Sequence, residues 1–295
     1  MAVSGNKRAL LLINRQARRG QRDLSNAISH LISLNFNLVI ESTQNPHHIS
    51  DIIRRYQDQV ELVIVGGGDG TLNAAIEGLV DTQLPLGILP MGTANDLART
   101  LGIPNSLLAA CDVINTGRLQ PIDLGWVNGK HFFNVASLGL SVGITQKLSK
   151  EAKRRWGVFA YAITALQVLF HSVPFSAEIR VKGESLKVKT VQIAVGNGRY
   201  YGGGMTVAED AAIDDQRLDL YSLEIDHWWQ MIPLLPAMRS GTQAFWPWVR
   251  TIHGQEIEII TRRPYLINTD GEITTTTPAY FRVVAKAITV LVPSH

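Results

Sequence analysis

Leu62-Val63-Ile64-Val65-Gly66-Gly67-Gly68-Asp69-Gly70-Thr71-Leu72-Asn73 decides the fold of this chain. The apolar run Leu62–Val65 predicts a buried strand, which the three glycines break. Thr71 then opens a segment with helical apolar spacing over Leu72–Val80. A strand, a glycine turn and a helix start together outline an anion site. Glycine lets backbone N–H groups approach a phosphate closely, and a helix N-terminus adds partial positive charge. The competing reading is a tight turn between two core elements. Gly-Gly-Gly-Asp-Gly-Thr favours phosphate over that reading, because one Gly-Gly pair would serve a plain turn.

Working outward, the flanking chain alternates strands and helices. Strands are predicted at Arg8–Ile13, Asn37–Ser42, Leu62–Val65 and Leu86–Leu89, and helices at Asp23–Leu34, Ile49–Tyr56 and Leu72–Val80. This order predicts a parallel, doubly wound α/β sheet, and such sheets bind ligands beyond the carboxyl ends of their strands. A second glycine turn follows the fourth strand, in Leu89-Pro90-Met91-Gly92-Thr93-Ala94-Asn95-Asp96, with Thr93 or Asn95 placed to cap a helix. Two such turns at adjacent strand ends make one shared phosphate site. The basic loop Asn14-Arg15-Gln16-Ala17-Arg18-Arg19-Gly20 supplies arginines within reach of it.

Composition narrows the class. A chain of 295 residues with 45% hydrophobic content forms one large domain or two ordinary ones. The longest apolar stretch, Val158–Phe170, is too short for a membrane span and carries Thr164 and Gln167. A single cysteine, Cys111, excludes an intramolecular disulfide and suits a reducing cytoplasm, and its apolar neighbours mark it as a core residue. The net charge of +3 permits an anionic ligand or membrane surface and gives no argument for nucleic acid.

After Gly117 the texture turns β-rich. Ile122–Val127, the Asn128-Gly129 pair and His131–Val135 predict a hairpin. Further β runs are Ser176–Val181, Leu186–Val195, Arg217–Leu223, Glu256–Thr261, Phe281–Val284 and Ile288–Val292, with Thr274–Thr277 as a loop. A second domain from residue 126 accounts for them. The basic segment Lys147–Arg155 ahead of Trp156 reads either as an element lying on an anionic membrane or as a solvated helix. Trp228, Trp229, Trp246 and Trp248 suit an interface or simple packing. Glu209–Asp215 is an acidic turn able to offer oxygens to a hard cation, and Asp270-Gly271-Glu272 sets two carboxylates around a glycine, as a metal ligand or proton acceptor requires.

These motifs, with Ile122-Asp123-Leu124-Gly125, Gly196-Asn197-Gly198-Arg199 and Tyr201-Gly202-Gly203-Gly204 between them, resemble the diacylglycerol kinase catalytic-domain family, and most closely its bacterial YegS-type lipid kinases. The likeness covers most of the chain. It implies a Rossmann-like nucleotide-binding α/β domain over residues 1–125 and a β-sandwich lipid-binding domain over 126–295, with the C-terminal strands free to return to the first domain. It implies ATP bound between the two. Carried over residue by residue, Gly68, Asp69, Gly70, Thr71, Leu72, Asn73 and Ala74 line the ATP phosphates, and Gly66 and Gly67 before them belong to the same cofactor-binding stretch. Thr93 contacts them from the second turn, and Thr43 contacts the nucleotide. Glu272 is implied as proton acceptor, with Asp270 beside it as metal ligand or alternative base. The acidic turn matches a structural Mg²⁺ site with a carboxylate from Asp215 and backbone carbonyls from Ala212 and Arg217. Two departures stand out. Ala74 occupies a position where the family often has glutamate, and Gln216 one where it usually has glycine.

The expected activity is transfer of the γ-phosphoryl group of ATP to a lipid hydroxyl, with Asp69 binding catalytic Mg²⁺ or orienting the phosphates through it. The expected setting is cytoplasmic, at a membrane surface when acting on lipid, and a homodimer is allowed. Two alternatives are phosphorylation of a soluble acceptor such as NAD and a nucleotide- or lipid-binding regulator without catalysis.

Overall fold

The computed structural model of the chain describes residues 7–14, 21–43, 45–140, 142–143 and 173–294. The basic loop 15–20, the basic segment 147–155 and the apolar stretch 158–170 lie outside the described residues. The chain divides into two compact units, Met1–Leu124 with Ala285–His295 and Gly125–Val284.

In the first unit, strands β1 (Lys7–Asn14), β2 (Phe36–Thr43), β3 (Leu62–Gly67) and β4 (Leu86–Pro90) form a parallel sheet in the order β2-β1-β3-β4. Helices α1 (Gln21–Ser33), α2 (Ile49–Tyr56), α3 (Asp69–Thr82), α4 (Asp96–Thr100) and α5 (Leu107–Thr116) connect and follow them. Every residue of β3 and β4 is buried, as befits strands of a parallel sheet covered on both faces. Cys111 is buried on α5 with its thiol donating to the Ala27 carbonyl of α1 at 3.6 Å. Burial pushes that thiol up to about 11, so it stays protonated and inert.

The glycines do not break the third strand where the apolar run stops. β3 continues through Gly66 and Gly67, and α3 starts at Asp69, leaving Gly68 alone as the connecting residue. The register places Ile13 beside Gly66, Gly67 beside Pro90 and Asn14 beside Thr43. The carboxyl ends of β1 to β4 therefore share one edge, where both glycine turns lie.

The second unit contains two antiparallel sheets. β5 (Arg118–Val127) leaves the first unit and turns at Asn128-Gly129 into β6 (Lys130–Phe132); both turn residues have positive φ, 45° and 91°, as the hairpin signal requires. β15 (Glu256–Thr261), β8 (Phe175–Val181) and β9 (Glu184–Thr190) form the antiparallel end of the ten-stranded sheet that also contains β1 to β4. The other runs β14-β13-β10-β7-β16-β17, with β7 at Val135–Gly139, β10 at Gln192–Gly196, β13 at Leu218–Leu223, β14 at Val249–Gly254, β16 at Leu266–Thr269 and β17 at Glu272–Thr276. A short hairpin, β11 (Tyr200–Tyr201) with β12 (Met205–Thr206), precedes β13. Side chains from both sheets, among them Phe132, Leu138, Ile179, Ile193, Leu220 and Ile259, form the sandwich core. A second core covers the far face of the six-stranded sheet, where Leu234 and Met238 of α6 (Met231–Ser240) pack on Ala194, Tyr221 and Leu223. Burial on both faces explains why β10 and β13 are buried at every residue. Trp246 and Trp248 pack against this second core, whereas Trp229 is 52% exposed.

The doubly wound α/β part and the β-sandwich match the expected fold class. Four local expectations need correction. Leu186–Val195 is two strands in different sheets, divided at Val191. His131–Val135 is likewise divided, between β6 and β7. Thr274–Thr276 belong to strand β17, because β-branched threonines suit a pleated edge position. The last two predicted strands are one, β18 (Ala279–Val292), which pairs antiparallel with β15 at Ala279–Arg282 and parallel with β4 at Val290.

Candidate active site

In the first unit the two glycine turns touch backbone to backbone. A Cβ on Gly68 would lie 2.9 Å from the Gly92 Cα, and one on Gly92 would lie 2.6 Å from the Gly68 Cα. Only hydrogen fits at both places. The Met91 N–H donates to the Gly67 carbonyl at 2.9 Å, which ties the second turn to the end of β3. Asn95 shapes that turn from within. Its Oδ1 accepts the Gly92 N–H at 2.9 Å, and its own backbone takes a left-handed conformation with φ 51°. Asn95 occupies the N-cap position of α4, but its side chain makes no cap bond.

That helix start is served by Asp69 instead. The Leu97 N–H donates to Asp69 Oδ1 at 3.3 Å. Burial pushes the Asp69 carboxyl above its usual range, opposed by backbone N–H groups of Leu97, Asp96, Asp69 and Asn95. Asp69 thus links the two turns by capping the neighbouring helix. At α3 the N-cap is Gly68, which offers no side-chain bond to the first turn. The Thr71 and Leu72 N–H groups bond to the Gly68 carbonyl. Gly70 is exposed, and a Cβ there would meet nothing within 4 Å. The first turn of α3 therefore presents backbone to solvent at the carboxyl edge, the arrangement that receives a phosphate. Thr93 is exposed on the second turn, Leu72 is buried, and Asn73 and Ala74 are half-buried one turn into α3. The Thr43 backbone ends β2 on the same edge.

In the second unit, Asp270 and Gly271 form the turn between β16 and β17, with φ of 48° and 96°. The Asp270 carboxylate accepts three backbone N–H bonds, from Phe133 at 2.7 Å, Asn134 at 3.0 Å and Val135 at 3.0 Å. Its own N–H donates to the Val135 carbonyl at 3.0 Å, and Asn268 Oδ1 accepts the Gly271 N–H at 2.8 Å. Asp270 is therefore a clamp that fixes the turn to the β6–β7 connection. The same connection is held from its other side, where Asn197 and Gly198 N–H groups donate to the Asn134 carbonyl at 2.9 and 3.2 Å. Glu272, two residues beyond Asp270, is exposed, and its carboxylate makes no hydrogen bond or ion pair among the described residues. Of the two carboxylates around Gly271, the exposed one is Glu272.

The acidic turn does not fit the implied Mg²⁺. Asp215 Oδ1 accepts the Arg217 N–H at 3.0 Å and Oδ2 the Ala212 N–H at 3.3 Å. The Arg217 guanidinium lies 3.1 Å from Asp210, 3.0 Å from Asp219 and 3.7 Å from Asp215.

Sequence reasoning marked Asp69, Asp270 and Arg217 but missed how each is used. Asp69 and Asp270 cap backbone far away in the chain, and Arg217 contributes a side chain where a carbonyl was expected. Asn268, which braces the Gly271 turn, was missed. Its place two residues before the Asp-Gly pair was the available signal.

Comparison with known proteins decides the family. The diacylglycerol kinase catalytic domain matches residues 8–127, and the YegS C-terminal NAD kinase beta sandwich-like domain matches residues 134–292. The chain belongs to the diacylglycerol kinase family. Within that family, a protein of Yersinia enterocolitica named probable lipid kinase YegS-like is 32% identical over 278 residues, 89% of each chain. A diacylglycerol kinase of Bacillus subtilis is 29% identical over 240 residues, 80% of this chain and 79% of its own. The crystal structure of a diacylglycerol kinase from Bacillus anthracis superposes with a TM-score of 0.83 at 25% identity, covering 97% of both chains. The chain is thus a member of a kinase family, and no described helix is long and apolar enough to cross a membrane.

Proposed function

We propose that this kinase transfers the γ-phosphoryl group of ATP to the hydroxyl of a lipid alcohol. The observation that carries the reading is the backbone contact of Gly68 with Gly92, beside the open first turn of α3. Gly66 to Ala74 form the stretch that receives the phosphates, at the exposed backbone of Gly70, with Thr93 and Thr43 as further nucleotide contacts. Asp69 holds the second turn in register with the first by its bond to Leu97. Mg²⁺ accompanying ATP supplies neutralisation of phosphate charge. Phosphoryl transfer asks mostly for positioning and charge stabilisation, which rigid glycine turns supply.

Glu272 accepts the proton of the attacking hydroxyl, and Asp270 holds the turn that carries it. The relatives named as lipid and diacylglycerol kinases support a lipid as acceptor. Action on lipid brings the protein to a membrane surface, in the cytoplasm.

The test is incubation of purified protein with γ-labelled ATP, Mg²⁺ and a panel of lipid alcohols in mixed micelles. Label is expected in at least one lipid. Glu272→Ala should lower kcat by roughly 10²–10⁴-fold while leaving Tm unchanged, because the side chain is exposed. Label entering no lipid, or full activity in Glu272→Ala, overturns the reading.

A further inference from the structure

The acidic turn Glu209–Asp215 and the residues that follow it set one basic side chain, Arg217, among three carboxylates. A divalent ion held by Asp215 and the carbonyls of Ala212 and Arg217 needs a carboxylate lone pair turned towards it and no cation close by. Both Asp215 oxygens already accept backbone N–H bonds within the turn. The Arg217 side chain folds back over the same residues, and its guanidinium faces the carboxylates of Asp210, Asp215 and Asp219. Gln216 keeps the left-handed backbone that glycine usually provides, with φ 57°, so the shape of the turn survives while its cation is different.

We infer that the Arg217 guanidinium is the resident cation of this turn, in the place where relatives of this fold would put a divalent metal, so that the turn is built without one. A guanidinium presents several N–H donors in a planar fork and reaches more than one carboxylate at once. The Asp219 side chain is 11% exposed and that of Arg217 27%, so the pair is shielded from water. The consequence extends past the turn. Asp219 pairs in register with Gly196, and the residues that follow Gly196 brace Asn134 beside the Asp270 clamp.

The test uses nucleotide-free protein, so it stands apart from kinase activity. Metal content is measured on the purified protein, and thermal unfolding is followed with EDTA, with millimolar Mg²⁺ and with millimolar Ca²⁺. The wild type should carry no stoichiometric metal and melt within about 1 °C under all three conditions. Arg217→Leu should melt lower by at least ~3 °C and regain stability on adding either cation. Stoichiometric metal in the wild type whose removal lowers Tm overturns the inference. So does an Arg217→Leu variant that melts like the wild type and ignores cations. Should that variant fail to fold, the wild-type metal content and melting decide alone.

Discussion

Gly92 and Gly271 sit at the tips of turns that need glycine for opposite reasons. At Gly92 the constraint is space, since a Cβ would press on the Gly68 Cα at 2.6 Å. At Gly271 there is open space, with nothing within 4 Å, and the constraint is a φ of 96°. The first turn is packed against another backbone and cannot yield without moving it. The second is a hairpin tip whose shape is enforced from below, by the Asp270 carboxylate on three N–H groups. On the proposed function, the phosphate site is built by exclusion of side chains, and the proton acceptor is freed by anchoring the neighbouring carboxylate.

The largest effect is expected from Gly92→Ala. The added methyl must push the two glycine turns apart, and displacement of about 1 Å costs on the order of 10²-fold in rate. Steady-state kinetics in ATP should show that loss in kcat/KM, and a variant within threefold of wild type would remove the packing argument. Asp270→Ala comes next. It leaves buried N–H groups without their acceptor and should cost about 1–3 kcal/mol in urea denaturation. Residual activity should keep the wild-type pH profile, because the proposed function makes Asp270 the clamp and Glu272 the base. Gly271→Ala should cost about 1–2 kcal/mol, all of it backbone strain. Its kcat/KM should stay within a few-fold of wild type, in contrast to Gly92→Ala.

The smallest effect is a slope. Burial raises the Asp69 carboxyl above its value in the unfolded chain, so the folded state binds that proton more readily. Stability from this group is then fully present below the unfolded value near ~4 and is lost as pH rises through the folded value. The stability of wild type relative to Asp69→Asn, measured by denaturation from pH 3.5 upward, should therefore fall with rising pH. A rise would mean that a cation holds Asp69 charged.

Much of this architecture is legible in local pattern. The apolar run Leu62–Val65 marked a strand before a helix, and Asn128-Gly129 marked a two-residue turn with positive φ. What failed was membership and reach. Leu186–Val195 is one apolar run, and apolarity does not say that Val191 passes the chain from one sheet to the other. The break read between Val284 and Ile288 is no break. Lys286 takes a left-handed φ of 50° inside one strand and gives its N–H to Asp123 Oδ1 at 2.7 Å. The candidate site followed the same rule. Its glycines and carboxylates were visible as residue types, whereas the bonds from Asp69 to Leu97 and from Asp270 to Phe133–Val135 join positions that only the folded chain brings together.

Strand β18 sets an order in time. Val290 supplies the parallel partner of β4, and the Ala287 carbonyl accepts the Gln83 side-chain amide at 3.1 Å. The ribosome makes β4 long before it makes β18. Until then the sheet that carries both glycine turns has an unpaired edge, open to other strands. The unit with the glycine turns is thus the first to be started and among the last to be completed. A nascent chain arrested before residue 285 should be a substrate for chaperones and proteases, whatever the state of its second unit.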